Sequence, residues 1–318
     1  MDLTTPLRAD EIAAARRRIE GVALRTPLIR SEEGWALKLE CLQPLGSYKI
    51  RGATNAIQAR RERGEQLSAV VSASAGNFGQ AIAAAARRLD LPCMIHVPDN
   101  AARVKVARLT DLGATVHEHP FDHWWRIMQT GETGDAGAFF HPVADRDVVA
   151  GAATIGAEIA EDLPGPATLF APIGGGGLMC GAAMGLRARH PGCRIVAVEV
   201  ETATPLQAAM AADGPVIVSR QASFIDGMGS TRILDDMWPW LRALTDEVVV
   251  VTAAEVEAAI RSLALEHRVV AEGAGAAALA AARKVGVQNA VALVSGGNID
   301  PTELLRILAA SRPPRGSG

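Results

Sequence analysis

Short β-branched runs alternate along this chain with alanine-rich stretches of helical length, and that rhythm leaves few folds open. Val70 to Ser72 precedes Ala81 to Leu89, and Met94 to Val97 precedes Ala101 to Leu112. A strand that returns parallel to its neighbour needs a crossover of helical length, so the alternation predicts βαβ units and a parallel sheet, an α/β fold. It resumes with Thr168 to Ala171, Ile195 to Glu199, Val248 to Val251 and Val291 to Val294, each followed by a glycine-rich turn or a helix-start signal. Thr252 with Glu255 reads as a capping box, and Asp300 before Pro301 as an N-cap with proline at the first helical position. At 318 residues the chain exceeds the usual reach of one hydrophobic core, so two domains or one large α/β unit are expected.

Bulk properties exclude several functions. The net charge is −3 with both signs interspersed, which gives no footprint for nucleic acid or an anionic membrane. No apolar run approaches the roughly 20 residues that span a bilayer. The start, Met1 to Pro6, lacks a basic segment followed by an apolar core, so a cytoplasmic location is the expectation. The 4 cysteines, Cys41, Cys93, Cys180 and Cys193, form no C-x-x-C pair, against a disulfide framework or structural zinc. A small molecule is the expected partner.

Four segments carry candidate chemistry. Lys49 follows Gly46-Ser47-Tyr48, a turn that can aim an amine into a cleft at a helix start. Gly174, Gly175, Gly176 and Gly177 follow the strand Thr168 to Ala171 and precede a helix, where backbone amides unobstructed by Cβ atoms can converge on a phosphate. Ser74-Ala75-Gly76-Asn77-Phe78-Gly79-Gln80 opens another alanine-rich helix and points its amides at a potential anion. Ser295-Gly296-Gly297-Asn298 ends the buried strand Val291 to Val294. A competing reading takes Gly174, Gly176 and Gly181 with Glu199 as a dinucleotide fingerprint and the protein as an NAD-dependent dehydrogenase, but the glycine spacing does not fit.

In this order the segments, with Phe140-His141-Pro142 and Thr154 to Ile159 between them, resemble the serine/threonine dehydratase family of fold-type II, tryptophan-synthase-β-like enzymes, which includes serine racemases. The resemblance implies two domains, each with a mostly parallel sheet flanked by helices: a large cofactor domain from 1–66 and 146–318, and a small inserted domain from 67–145. It implies pyridoxal 5'-phosphate as a Schiff base on Lys49, its phosphate on Gly174 to Gly177, its ring hydroxyl on Asn77 and its pyridine nitrogen facing Ser295. It further implies that Ser74, Ala75, Gly76, Asn77 and Phe78 bind the substrate, that Lys49 is the base for the α-proton, and that the assembly is a homodimer. The implied reaction is α,β-elimination of a β-hydroxy amino acid to a 2-oxo acid and ammonia.

The chain also departs from its relatives. Ala75 stands where the family's racemases carry a proton-shuttling serine, so racemisation ranks behind elimination. Phe78 replaces the family's histidine, and Trp124 is placed near the substrate side chain; together they suit a bulky β-substituent, as in phenylserine, where threonine or serine is the alternative. Glu199 matches the first ligand of a metal site in some relatives, but its companion position is Pro205, and no metal is expected. Glu272 matches a position near the cofactor, or is a helix-start acid. His117, His119 and His123 are read as a solvated turn around Pro120. A third reading is a pseudoenzyme that binds without turnover. The ending, Arg312 to Gly318, is read as a frayed tail.

Overall fold

Two sheets emerge from the alternating runs. The structure is a computed structural model that describes residues 3–31 and 34–310, so the tail assignment lies outside the described residues. In chain order the elements are α1 (Ala9–Arg18), β1 (Leu28–Arg30), β2 (Trp35–Leu39), α2 (Lys49–Glu62), β3 (Val70–Ala73), α3 (Asn77–Arg87), β4 (Cys93–Pro98), α4 (Arg103–Asp111), β5 (Thr115–His119), α5 (Phe121–Thr130) and β6 (Ala138–Phe139). There follow α6 (Arg146–Asp162), β7 (Thr168–Pro172), α7 (Gly177–Arg187), β8 (Arg194–Val200), α8 (Pro205–Ala212), α9 (Trp238–Leu244), β9 (Glu247–Val251), α10 (Ala253–His267), α11 (Gly273–Val285), β10 (Ala290–Val294) and α12 (Pro301–Ala309).

The larger sheet runs β1-β2-β10-β7-β8-β9, parallel except for β1, which pairs antiparallel with β2. The smaller runs β5-β4-β3-β6 and is parallel throughout. The capping box at Thr252 and the Asp300 cap both form as expected. Because β10 lies between β2 and β7, the Ser295 segment leaves the sheet beside the turn that follows β2.

Helices α6 and α7 meet backbone to backbone. A Cβ on Gly156 would stand 1.9 Å from the Ala182 carbonyl oxygen, and one on Gly185 2.0 Å from that of Ala153. Glycine therefore sets this crossing, and the crossing fixes where the N-terminus of α7 points. No helix of the described residues is long and apolar enough to cross a membrane.

The histidine region corrects the reading of a solvated turn. His117 and His119 belong to β5, and His123 to α5. The imidazoles of His117 and His119 stack with that of the buried His96, with ring centroids 5.2 and 5.0 Å away, and His123 stacks on His119 at 4.9 Å. His96 also bonds His119 at 2.8 Å and the Asp135 carboxylate at 2.6 Å. Sequence spacing hid the ladder because its central member sits on a different strand. Among the described residues no set of three or more His, Cys, Asp or Glu side chains is arranged to hold a metal ion.

Candidate active site

Chain reversal after β2 builds the lysine's position. Leu45 and Gly46 both take left-handed backbone angles, φ 67° and 71°. A Cβ on Gly46 would come 2.6 Å from the Asn298 amide oxygen, so glycine lets the Gly296–Asn298 segment approach. Gly297 N–H then donates to Gly46 O at 2.8 Å, Ser47 forms a β-bridge with Gly296, and Tyr48 N–H donates to Ser295 O at 3.1 Å. Lys49 is the first residue of α2. Its Nζ donates to the Pro142 carbonyl at 3.3 Å and lies 5.0 Å from the Tyr48 ring centroid and 5.6 Å from that of Phe78. With Tyr48, Pro142, Val148 and Gly177 it lines a small cavity.

Across that cavity, α7 begins at Gly177 with Gly176 as its cap, at φ 93°. A Cβ on Gly176 would press 2.9 Å from Leu241, and one on Gly175 2.6 Å from Val143, so side chains are excluded from the turn by its own surroundings. Intrahelical bonding starts only when Cys180 N–H reaches Gly176 O; the amides of Gly175, Gly176, Gly177 and Leu178 find no acceptor among the described residues. Orphan donors at a helix N-terminus form a ready anion site. Helix α3 presents a second such end: Gln80 N–H bonds Gly76 O, and the amides of Asn77, Phe78 and Gly79 are left over among the described residues. The helix opens four residues earlier than the run from Ala81 suggests, with Gly76 as its cap, while the Ser74 hydroxyl accepts only a long 3.4 Å bond from Gly76 N–H.

A polar cluster ties the α3 end to the cap of α11 and to the segment after β10. Asn77 donates through Nδ2 to Glu272 Oε1 at 2.9 Å and accepts from Asn298 Nδ2 at 2.8 Å. Burial, reinforced by the charge of Asp226, raises the Glu272 carboxyl to about 7 against the opposing Asn77 bond. Ser295 is buried at the end of β10, and its hydroxyl has no protein partner among the described residues. Lys49, Phe78, Gly177 and Ser295 are thus brought together, with Asn77 bonded to the same segment. Trp124 is not among the residues lining the cavity at Lys49: its indole N–H donates to the His96 carbonyl at 3.1 Å, and its ring packs on the Ala73, Ile127 and Met128 cluster.

Glu199 has a different occupation. Its two carboxylate oxygens accept the Leu206 and Gln207 amides at 2.7 and 2.9 Å, capping α8, whose first residue is Pro205. Burial lifts it to about 7, opposed by those two bonds. A carboxylate committed to α8 is not offered to a nucleotide ribose, and the dinucleotide reading loses its acidic residue.

His141 and Arg51 were not singled out from sequence. His141 Nδ1 accepts the Val143 and Ala144 amides at 3.0 and 2.7 Å, shaping the turn that carries Pro142. Burial, and then the charge of Lys49, lowers it to about 4. His96 and His119 are also lowered, chiefly by burial. Unfolded imidazoles titrate near 6.5, so these three contribute stability that is complete above about pH 6.5 and lost as pH falls toward their folded values. Glu199 and Glu272 act in the opposite sense: their contribution is complete below about pH 4.5 and is lost as pH rises through about 7. In a site-resolved NMR titration His141 is expected to protonate near pH 4; a midpoint near 6.5 would contradict this burial.

Comparison with known proteins agrees with this geometry. A family profile described as pyridoxal-phosphate dependent enzyme matches residues 19–296. L-threonine ammonia-lyase of Thermotoga maritima is 34% identical over 311 residues, 94% of this chain and 77% of that protein. The catabolic L-threonine dehydratase of Escherichia coli is 31% identical over 317 residues, 95% of this chain and 96% of that protein. The solved structure of maize serine racemase superposes with a TM-score of 0.86 at 29% identity, covering 95% of this chain and 97% of the other. The protein is therefore a pyridoxal-phosphate-dependent lyase, and the chain belongs to the serine/threonine dehydratase family of fold-type II enzymes.

Proposed function

We propose that the protein is an ammonia-lyase that converts a β-hydroxy amino acid to a 2-oxo acid and ammonia, with Lys49 as both cofactor anchor and base. The observation that carries this is the Lys49 amine, held between the Tyr48 and Phe78 rings in a cavity shared with Gly177 at the start of α7. The residues present fit pyridoxal phosphate: an amine for its carbonyl carbon, orphan α7 amides for its phosphate, the unpartnered Ser295 hydroxyl for its ring nitrogen and Asn77 for its ring hydroxyl.

When bound, the cofactor supplies an electron sink for the bond electrons released at Cα. The protein's own groups do the rest. The amides opening α3 hold the substrate carboxylate by their positive helix end. The incoming amino group frees Lys49, whose Nζ then takes the α-proton. Returned from the Lys49 ammonium to the β-hydroxyl, that proton lets the hydroxyl leave as water, and the released enamine adds one water molecule to give the 2-oxo acid and ammonia. Ser295 is a neutral hydroxyl and does not hold the ring nitrogen charged as a carboxylate would, which weakens the sink and favours elimination over transamination.

Racemisation is the second reading, favoured by the likeness to serine racemase. Against it, the Ala75 methyl has no proton to return to Cα. Phe78 beside Lys49 supports a bulky β-substituent. We read the working assembly as a homodimer, in keeping with the exposed Leu24, Ile29 and Leu42 about the edge strand β1.

The test is 2-oxo acid release from L-serine, L-threonine and L-phenylserine by wild-type enzyme and Phe78→His. Wild type is expected to have its highest kcat/KM on phenylserine and the variant to shift toward threonine. Preference of wild type for serine or threonine would return Phe78 to packing and leave the lyase standing. Release from none of them, with the cofactor visibly bound, would overturn the proposal in favour of racemisation or binding alone.

A further inference from the structure

Between α8 and the turn at Asp235 the chain runs without helix or strand. Stretches of this length inside a folded domain usually have a task. Two backbone bonds pin its base, Gln221 N–H to Thr202 O and Val218 N–H to Thr231 O, both at 2.9 Å. Its Asp226-Gly227 segment lies between the glycine turn that precedes α7 and the start of α11: Gly227 O is 2.9 Å from where a Cβ of Gly174 would stand, and a Cβ on Gly227 would meet Ala274 at 2.9 Å. Asp226 reaches away from the larger sheet to an ion pair with Lys105, which projects from α4 beside the smaller sheet.

This pair crosses the same seam as the Asn77 cluster but at its rim. Asn77 is bonded at depth to Glu272 and Asn298, whereas the Lys105 and Asp226 side chains are 36% and 52% exposed. The floor of the seam therefore stays bonded when the rim pair breaks. The pair's partners sit on opposite sides of the seam, Lys105 on α4 and Asp226 on the strap after α8, so any opening of the smaller unit about the floor separates them first. Both charges also act on Glu272, Asp226 raising it and Lys105 lowering it, which places them within electrostatic reach of the cluster.

We infer that Lys105 and Asp226 are a positioning pair that latches α4 to this strap across the cleft, enclosing the amino-acid substrate before Lys49 takes its proton. Neither residue touches the reacting atoms. The inference rests on the Lys49 site proposed above and on segment 67–145 moving as the inserted small domain. Closing on the substrate uses part of the binding free energy, so weakening the latch appears in KM while the groups that act at Cα stay unchanged.

The experiment is steady-state kinetics on holoenzyme, first for wild type and then for Lys105→Ala, Asp226→Ala, Lys105→Arg and the charge swap Lys105→Asp with Asp226→Lys. The strength of an exposed ion pair sets the scale at a rise in KM of about threefold to fivefold for each alanine variant, with kcat nearly constant. Lys105→Arg and the swap are expected to restore KM to within about twofold of wild type. Added salt is expected to raise the wild-type KM and to leave the alanine variants flat, because only wild type retains a pair to screen. Thermal unfolding serves as the control and is expected to shift by no more than a few degrees.

Alanine variants with wild-type KM, or a charge swap that restores nothing while folded and loaded with cofactor, would overturn the latch alone. Wild-type enzyme that binds cofactor but releases no 2-oxo acid would remove the proposed reaction and the latch with it.

Discussion

Lys49→Ala is expected to lose 2-oxo acid release by about 10³-fold to 10⁴-fold while folding as wild type does. The loss follows from removing the group that takes the α-proton, a contribution of about 10²-fold to 10⁴-fold by itself, together with the covalent anchor. Folding is spared because Nζ makes one 3.3 Å bond to Pro142 O and no salt bridge among the described residues. Lys49→Arg keeps a positive charge near the Tyr48 and Phe78 rings and is expected to be equally inactive, since a guanidinium neither condenses with the cofactor nor accepts a proton near neutrality. Absorbance of bound cofactor and borohydride reduction report the anchor, and a coupled 2-oxo acid assay reports the turnover that needs anchor and base together. A Lys49→Ala protein retaining more than about a tenth of wild-type turnover would sink the assignment.

Arg51→Met is expected to cost about 3–5 kcal/mol of stability, although it lies only two residues beyond the lysine. Its side chain is inaccessible and bridges two carboxylates, meeting Glu40 at 2.8 and 2.9 Å and Glu158 at 2.6 and 2.9 Å, with Thr154 Oγ1 at 3.0 Å. Lys38 completes the cluster, donating to Glu158 at 2.6 Å and to the Thr26 carbonyl at 2.7 Å. Two cations face two carboxylates, so removing Arg51 leaves one negative charge in excess where water cannot reach it.

Burial opposes the charge on both cations. At Arg51 the two glutamates outweigh it and raise the pKa; at Lys38 burial prevails over Glu158 and lowers it. Adding Glu40→Gln to Arg51→Met removes the excess charge and is expected to recover part of the loss, as read by urea unfolding. A single Arg51→Met variant within about 1 kcal/mol of wild type would show that the cluster is not what holds α2 against β2 and α6.

This cluster also marks where sequence stopped being legible. Strands β3, β4, β7, β8 and β10 stand out as apolar runs because helices bury both of their faces, and β9, at the sheet edge, keeps a valine run with half-buried positions. The strand β2 carries Lys38 among its apolar residues, and nothing nearby in sequence reveals that Glu158, from a helix far along the chain, neutralises it. The polar run Thr-Val-His-Glu-His hid β5, which lies at the edge of the smaller sheet with only partial cover.

The site divides in the same way. The Gly174–Gly177 turn and the α3 opening were readable because each requirement is local, a glycine where no Cβ fits or amides at a helix start, whereas Lys49 and Ser295 were singled out through the family resemblance. Contacts that join them were not readable. The bond from Tyr48 N–H to Ser295 O and the use of Glu199 to cap α8 depend on which strands lie side by side. Trp124, placed by resemblance near the substrate side chain, has its indole N–H engaged by a backbone carbonyl on β4.

The place of β10 between β2 and β7 also bears on how the protein is made. During synthesis β2 and β7 emerge long before the strand that separates them, and the turn holding Lys49 lacks its Ser295 and Gly296 partners until then. Strands β3 to β6, by contrast, pair only with one another and leave the ribosome as a continuous block. The smaller sheet can therefore form on the growing chain, while the catalytic amine acquires its geometry only after β10 and the Ser295–Gly296 segment are out.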